Sequence, residues 1–188
     1  SAFKNGIDNQ CLYSDASITH IKEHEQLGSK AKSVSYDNKC YEVGPLARAV
    51  LRKNDFILDI HNKYQDSALT RVCARMDELI NILIYAKDLL ANLNVKELSC
   101  TLSKLPKDLK TNGVGMVEAA RGSLIHQSII KSGKIQNYSI ITPTQWNLSN
   151  GLEKSHGIAA KAMKGSINTQ EANFIFRTFD VCSVCTTH

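Results

Sequence analysis

The sequence lacks both an apolar run long enough to cross a membrane and a cluster of basic residues. Its net charge is only +5, and the lysines are dispersed along the chain. A nucleic-acid surface would show a basic stripe or patch, and a spanning helix would need about 20 apolar residues. Residues 1–5 do not form a signal peptide. We therefore expect no bound nucleic acid and no direct membrane span.

The cysteines are too few and too scattered for a small disulfide-bonded scaffold. Six occur in 188 residues, and 43% of the chain is hydrophobic against 22% charged, which is the composition of one ordinary globular domain. Four of them stand far apart in the sequence and are interpreted as reduced and mostly structural: Cys11, Cys40, Cys73 and Cys100.

The remaining two cysteines form a Cys-x-x-Cys pair in residues 180–188, where Cys182 and Cys185 are followed by His188. Two thiolates at this spacing can hold one soft or borderline metal from a single turn. One interpretation is half of a structural zinc site, although no second such pair exists in the chain. The other is a catalytic metal whose further ligands come from elsewhere.

The amino-terminal 40 residues are polar and show little periodicity. Ile18 and Ile21 indicate a short helix or strand near residues 17–24. His20 and His24 have the i, i+4 spacing of a helical metal clamp, whereas the charged residues around them favour a solvated face.

Helices are predicted from three patterns. Gly44 and Pro45 predict a helix to about residue 52, which Asn54 and Asp55 then end. Apolar residues recurring every three or four positions predict one long amphipathic helix over about residues 66–93. Asn168 is a candidate cap for a last helix over about residues 169–178.

Three strands are predicted between the long helix and the last one, because short runs of β-formers are separated by glycine turns. They cover about residues 114–121, 123–130 and 135–141, and they form a small antiparallel meander. The expected fold class is therefore α+β: mainly a helical bundle with a long central helix and a small meander. Because that helix has more apolar surface than this chain can cover, we expect a partner chain to complete the bundle.

Four separated motifs resemble those of nickel–iron hydrogenase large subunits, in the family's order. Residues 42–48 match E-V-G-P-L-A-R, and residues 118–122 resemble E-A-P-R-G. Residues 141–147 resemble V-V-P-T-T-W-N, and residues 180–188 resemble the carboxy-terminal D-P-C-x-x-C-x-x-H. The departures are Ala120 and Val181, which stand where the family usually has proline. The resemblance strongly disfavours the structural zinc site.

The family's other cysteine pair lies in an R-x-C-G-x-C motif, and this motif is absent here. Residues 1–188 therefore resemble only the carboxy-terminal part of the large-subunit domain. Ser1 is what removal of an initiator methionine would leave, so one expectation is a separately encoded half of a split large subunit; a fragment is the alternative.

The resemblance implies a site for a Ni–Fe centre with cyanide and carbon monoxide ligands. Cys182 would be a terminal nickel ligand and Cys185 would bridge nickel to iron, while Arg121 would face the open metal position and Asp180 would hold Arg121. Ala120, Pro143 and Thr144 would adjoin the cofactor, and Thr144 and the backbone after Pro143 would donate hydrogen bonds to a cyanide ligand. His188 and the main-chain carbonyl of Ile140 would bind Mg²⁺. Glu118 is assigned a structural role, and His126 is expected to be a buried, hydrogen-bonded histidine.

The implied activity is heterolytic oxidation or formation of H₂. The implied partners are an amino-terminal large-subunit half with the other Cys-x-x-Cys and an iron–sulfur small subunit that holds all the clusters. The expected location is cytoplasmic, or membrane-associated through partner subunits. The alternative function is a hydrogen-sensing regulatory protein with low turnover, and a degenerate scaffold is disfavoured because the cysteine pair, Arg121 and Asp180 are all present.

Overall fold

The computed structural model describes residues 20–26, 29–96, 108–152 and 155–182. The helices are α1 (Pro45–Leu51), α2 (Asp55–Tyr64), α3 (Ala68–Ala91), α4 (Pro143–Asn147), α5 (Ile158–Met163) and α6 (Thr169–Arg177). The strands are β1 (Ile21–Gln26), β2 (Ser29–Tyr36), β3 (Lys110–Ala119), β4 (Gly122–Lys131), β5 (Lys134–Ile141), β6 (Gly151–Leu152) and β7 (Ser155–His156).

The predicted antiparallel meander is confirmed by strands β3, β4 and β5, which pair in that order. The strands begin or end up to four residues from the predicted bounds. Ser132 and Gly133 connect β4 to β5, both with positive φ (52° and 68°), as a two-residue hairpin turn requires. The chain is thus a mixed helix and sheet structure, and its sheets are small and antiparallel.

Helix α3 has nearly the predicted bounds. The Ser67 side chain accepts a hydrogen bond from the Thr70 amide and caps the first turn. Its buried residues all lie near its amino-terminal end, at Thr70, Arg71 and Ala74. A helical bundle with α3 at its centre is therefore not confirmed, because most of α3 lies outside the core that the described residues form. Completion of a bundle by a partner chain stays a prediction.

The expected break at Asn54 is confirmed, because α1 ends at Leu51, but Asn54 also begins a further helix that was not predicted. The Asn54 side chain accepts a hydrogen bond from the Ile57 amide, which satisfies one free donor at the start of α2. Ile57 is fully buried and packs with Leu46, Ala49 and Ala74 in a core between α1, α2 and α3.

Residues 21–26 form a strand, and this excludes the clamp interpretation of His20 and His24. Residues four apart in a strand are separated by roughly 13 Å, too far to share one metal. His20 instead pairs with the carboxylate of Asp37, and His24 is hydrogen-bonded to the Ser35 hydroxyl.

A second core cluster joins the hairpin β1–β2, the meander and α4. It contains Val34, Val43, Met116, Ile125 and Trp146, of which Val34 and Trp146 are fully buried. Thr142 and Gln145 close a reciprocal capping box at the start of α4, which fixes the position of this helix.

The carboxy-terminal helix confirms its predicted cap: the Asn168 side chain accepts a hydrogen bond from the Glu171 amide. Helix α5 was not predicted, since six residues hold less than two turns of periodicity. Within the ranges that the structure describes, no helix has the length and apolarity needed to cross a membrane.

Candidate metal centre

Arg121 and Asp180 lie in contact, 59 residues apart in sequence. Arg121 follows β3 at the turn into β4, and Asp180 follows the end of α6. The Arg121 Nε donates to the main-chain oxygen of Asp180 at 2.8 Å and lies 3.1 Å from its carboxylate Oδ2. Both side chains are about two-fifths exposed. A carboxylate that engages Nε leaves the rest of the guanidinium fork to point elsewhere.

The turn that carries Arg121 packs directly on residues 42–48, so two of the sequence motifs touch. A Cβ atom on Gly44 would lie 2.9 Å from the main-chain oxygen of Arg121. Both Gly44 and Gly122 have positive φ (117° and 132°) that other residues rarely adopt. The backbone at Arg121 is therefore fixed by contacts that only glycine allows.

Arg48 connects the same turn to helix α3. Its Nε and Nη2 donate to the two carboxylate oxygens of Glu78 at 2.7 and 2.6 Å, and its Nη1 donates to Glu118 at 2.9 Å. Nη1 and Nη2 also donate to the main-chain oxygens of Ala119 and Ala120, at 3.0 and 3.1 Å. Burial lowers the pKa of Arg48, but its hydrogen bonds and charge interactions with Glu78 and Glu118 outweigh burial and raise that pKa overall.

Two other arginines, both in α3, hold the segment around Asp180. Arg75 Nη1 donates to Asp180 Oδ2 and its Nη2 donates to the Thr178 main-chain oxygen, both at 3.3 Å. Arg71 forms a bidentate pair with Glu42 and stacks over the ring of Phe179 at 4.3 Å. Sequence reasoning gave no role to Arg48, Arg71 or Arg75; the available signal was the four-residue spacing of the last two in a helix.

The predicted metal ligands are only partly within the described residues. Cys182 is described and partly buried. Cys185 and His188 lie outside the described residues. Ile140 lies on β5, paired with His126 of β4, and its side chain is 42% exposed. His126 is hydrogen-bonded to the Tyr138 hydroxyl as expected, but it is only partly buried.

The predicted cofactor contacts occupy two turns. Ala120 is in the turn between β3 and β4, next to Arg121. Pro143 begins α4, and Thr144 is buried in its first turn. Glu118 accepts hydrogen bonds from Arg48 and the Ser123 hydroxyl, so its described contacts are all within the protein.

The donor chemistry of this region fits a soft metal, but the described residues do not complete a site. No group of three or more His, Cys, Asp or Glu side chains able to hold a metal occurs in the described ranges. Cys182 stands two residues after Asp180, whose carboxylate is held by Arg75 and Arg121. A thiol beside a carboxylate that is held in this way would suit a soft metal such as nickel or iron. Further ligands for such a metal would have to come from outside the described residues.

Comparison with known proteins gives a consistent family. The family model for nickel-dependent hydrogenase matches residues 6–188. The quinone-reactive Ni/Fe-hydrogenase large chain of Wolinella succinogenes is 29% identical, over 96% of this chain and 36% of the relative. The uptake hydrogenase large subunit of Bradyrhizobium diazoefficiens is 31% identical, over 90% of this chain and 33% of the relative. The chain thus spans about a third of the length of these curated relatives.

Solved structures agree on the fold. The reduced Ni-Fe-Se hydrogenase from D. vulgaris Hildenborough has a TM-score of 0.75 at 24% identity, covering 90% of this chain and 45% of that chain. The [NiFeSe]-hydrogenase of Dm. baculatum has a TM-score of 0.70 at 27% identity, covering 84% and 37%. The family model covers almost the entire sequence, and we conclude that this chain belongs to the nickel-dependent hydrogenase family.

Proposed function

We propose that this chain is the carboxy-terminal part of a hydrogenase catalytic subunit that oxidises or forms H₂ at a Ni–Fe centre. The observation that carries the proposal is the contact of Arg121 with Asp180, two residues before Cys182. An arginine held by a carboxylate beside a thiolate would favour heterolytic cleavage of H₂, because the thiolate is a soft metal ligand and the arginine is a fixed positive charge.

In this proposal the thiolates of Cys182 and Cys185 would hold the Ni–Fe centre, Cys182 as a ligand of nickel and Cys185 as a ligand of both metals. Two thiolates cannot complete a four-thiolate nickel site, and the chain has no second Cys-x-x-Cys. The other pair would come from an amino-terminal half of the large subunit. When bound, the centre, with its cyanide and carbon monoxide ligands, supplies the Lewis acidity and redox chemistry that H₂ cleavage needs. Ala120, Pro143 and Thr144 would adjoin it, with Thr144 donating to cyanide.

Arg121 would act as a fixed cation rather than as a proton donor. Its guanidinium stays charged at any physiological pH, and Nε is engaged by Asp180. The Nη atoms make no hydrogen bond to any residue that the structure describes, and they would face the bound gas. The thiolate Sγ of Cys182 would accept the proton released from H₂, since a thiolate is basic enough to hold it.

A partner is proposed because one face of α3 has no cover among the described residues. Its exposed apolar side chains include Met76, Leu79, Ile80, Leu83 and Leu90, which are all about half or more exposed. A continuous apolar face of this size is typical of a subunit interface. We assign it to the amino-terminal half. An iron–sulfur small subunit would carry the electrons, because the chain has no cysteines arranged for a cluster.

Two assignments rest on the resemblance alone. His188 and the Ile140 carbonyl would bind Mg²⁺, with waters filling most of the remaining positions. The assembled protein would be cytoplasmic or attached to the membrane through its partners.

Metal analysis of the chain alone, beside the chain co-purified with its partners, tests the proposal. We expect nickel, iron and H₂ activity only in the complex. Stoichiometric metal and activity in the solitary chain would show that the missing ligands are not a partner's. Turnover with an artificial electron acceptor separates the enzyme from the hydrogen-sensing alternative, for which turnover stays low.

A further inference from the structure

Helix α3 presents three charged residues in one row, at positions 71, 75 and 78. Spacings of four and three residues place Arg71, Arg75 and Glu78 on the same face of a helix. The exposed apolar side chains of Met76, Ile80, Leu83 and Leu90 lie on a different face of α3. Nearer the carboxy-terminal end, the face of the row continues with exposed apolar residues, Ile82, Tyr85 and Leu89. The row is therefore a strip of charged residues on a helix whose other exposed side chains are mostly apolar. Its contacts reach both the segment of Asp180 and the turn of Arg121.

The first half of the row holds the segment of Asp180. Arg75 donates to Asp180 Oδ2 and to the Thr178 carbonyl. Arg71, four residues earlier, lies over the Phe179 ring, and its head is fixed by the bidentate pair with Glu42. Three consecutive residues before Val181 are thus contacted from one helix.

The second half of the row holds the turn of Arg121. Glu78 binds Arg48 through both carboxylate oxygens, with side chains only 16% and 6% exposed. Arg48 in turn donates to the carbonyls of Ala119 and Ala120, which immediately precede Arg121. Bidentate arginine–carboxylate pairs have a fixed geometry, so the position of Glu78 on the helix determines the position of those carbonyls.

We propose that Arg75 and Glu78 are positioning residues for Arg121. Through them, helix α3 orients the Arg121 guanidinium toward the metal site. Arg75 acts through Asp180, and Glu78 acts through Arg48 and the turn at Ala120. Both act from one rigid helix, so the two ends of the Arg121–Asp180 contact keep a constant separation. This inference rests on the proposed function only for its effect on turnover; the effect on local order stands without it.

The test uses the purified complex with three variants. Glu78→Gln keeps side-chain size and Arg75→Gln shortens the side chain, and each removes one charge. Arg177→Gln is the matched control, because this arginine is exposed near Asp180 and its side chain makes no described contact. We expect both test variants to keep their nickel and iron and to lose about tenfold or more in H₂ turnover per nickel, the scale for groups that orient a metal's surroundings. The control should match the unmodified complex.

Amide hydrogen exchange supplies a readout that does not depend on activity. Arg75→Gln should speed exchange about tenfold in residues 178–182, and Glu78→Gln should do so in residues 119–122, with the rest of the chain unchanged. Unchanged exchange in both segments overturns the proposal. If the unmodified complex were loaded with metal but did not activate H₂, the proposed function would fail, and the exchange result would still decide the positioning role.

A double-mutant cycle separates positioning from a general structural effect. In an Arg121→Lys background, Arg75→Gln and Glu78→Gln should each cost less than about twofold in turnover, because the group that they aim is gone. Losses that stay tenfold in that background would show that the two residues act independently of Arg121 and would overturn the proposal. Arg75→Lys, which keeps one donor toward Asp180, should recover part of the turnover that Arg75→Gln loses.

Discussion

Gly122 and Val43 are so close that a Cβ atom on Gly122 would lie 2.4 Å from the Val43 Cγ2. The same atom would lie 2.9 Å from the main-chain nitrogen of Gly44. The contact joins the segment before α1 to the turn before β4, and it leaves room for one hydrogen atom only. The backbone position of Arg121 is therefore fixed by packing, in addition to the contacts of its own side chain.

Gly122→Ala is expected to destabilise the fold. The new methyl group must displace Val43 or the backbone of Gly44, and the residue must also hold φ at +132°. Overpacking and the backbone conformation each cost about 1–3 kcal/mol, so we expect a loss of about 2–6 kcal/mol in the free energy of unfolding. Gly115→Ala is the control, since nothing lies within 4 Å of its Cβ position. Equal melting temperatures for the two variants in thermal unfolding would contradict the close contact.

Asn147 pairs with the backbone of Val43 and should be intolerant of truncation. Its Oδ1 accepts from the Val43 amide at 2.9 Å and its Nδ2 donates to the Val43 carbonyl at 3.0 Å, with the residue 4% exposed. Asn147→Ala leaves both main-chain groups buried without partners, at about 1–3 kcal/mol each. Denaturant unfolding should show this loss, whereas Asn137→Ala on the exposed side of β5 should change stability by less than about 0.5 kcal/mol.

Arg48→Gln should be among the most destabilising single changes. Removing the guanidinium leaves Glu78 and Glu118 mostly buried without the cation that neutralises them, and breaking such a buried network costs about 3–5 kcal/mol. The raised pKa keeps Arg48 charged at every pH where the fold is studied, so the loss should not vary with Arg48 titration. Arg52→Gln, one turn further on and exposed, is the control for denaturant unfolding. Comparable stability for both variants would contradict a structural role for the Arg48 network.

The elements that could be predicted from sequence are those with a local signal. The apolar repeat predicted the bounds of α3 to within two residues at each end, and the glycine turns predicted the three-stranded meander. Helix α2 was not predicted, because the same Asn54 side-chain chemistry that interrupts one helix also begins the next. Helix α5 was missed because its six residues carry too short a pattern.

The site was harder to predict, because its contacts are between residues far apart in sequence. Arg121 and Asp180 were paired through a family resemblance and not through any spacing in the chain. For Arg71 and Arg75 the local signal was only their four-residue spacing, and for Arg48 only its place in a motif, because their partners lie 29 to 105 residues away. Ion pairs between residues far apart in the chain produce no repeating pattern in the sequence, so they become visible only in the folded structure.

Cys182→Ser and Cys185→Ser are each expected to abolish H₂ activation. A serine hydroxyl is a hard, weakly acidic ligand and does not replace a thiolate on nickel or iron. Cys73→Ser is the control, because Cys73 packs beside the core between α1, α2 and α3, far from the cysteine pair in sequence. Hydrogen uptake by the purified complex measures the effect. Near-normal hydrogen uptake by Cys182→Ser or Cys185→Ser would contradict the assignment of that cysteine as a metal ligand.

Arg121→Lys tests whether the guanidinium fork itself is needed. Lysine keeps the charge but has a single nitrogen, so it can meet Asp180 or face the metal site, and not both. The turn at Gly122 and the Arg48 contacts to Ala119 and Ala120 do not involve this side chain and should stay in place. Metal content should therefore be unchanged while H₂ turnover per nickel falls by about 10²-fold or more, the scale for a lost preorganised charge. Turnover that fell only in proportion to nickel content would make Arg121 a structural residue.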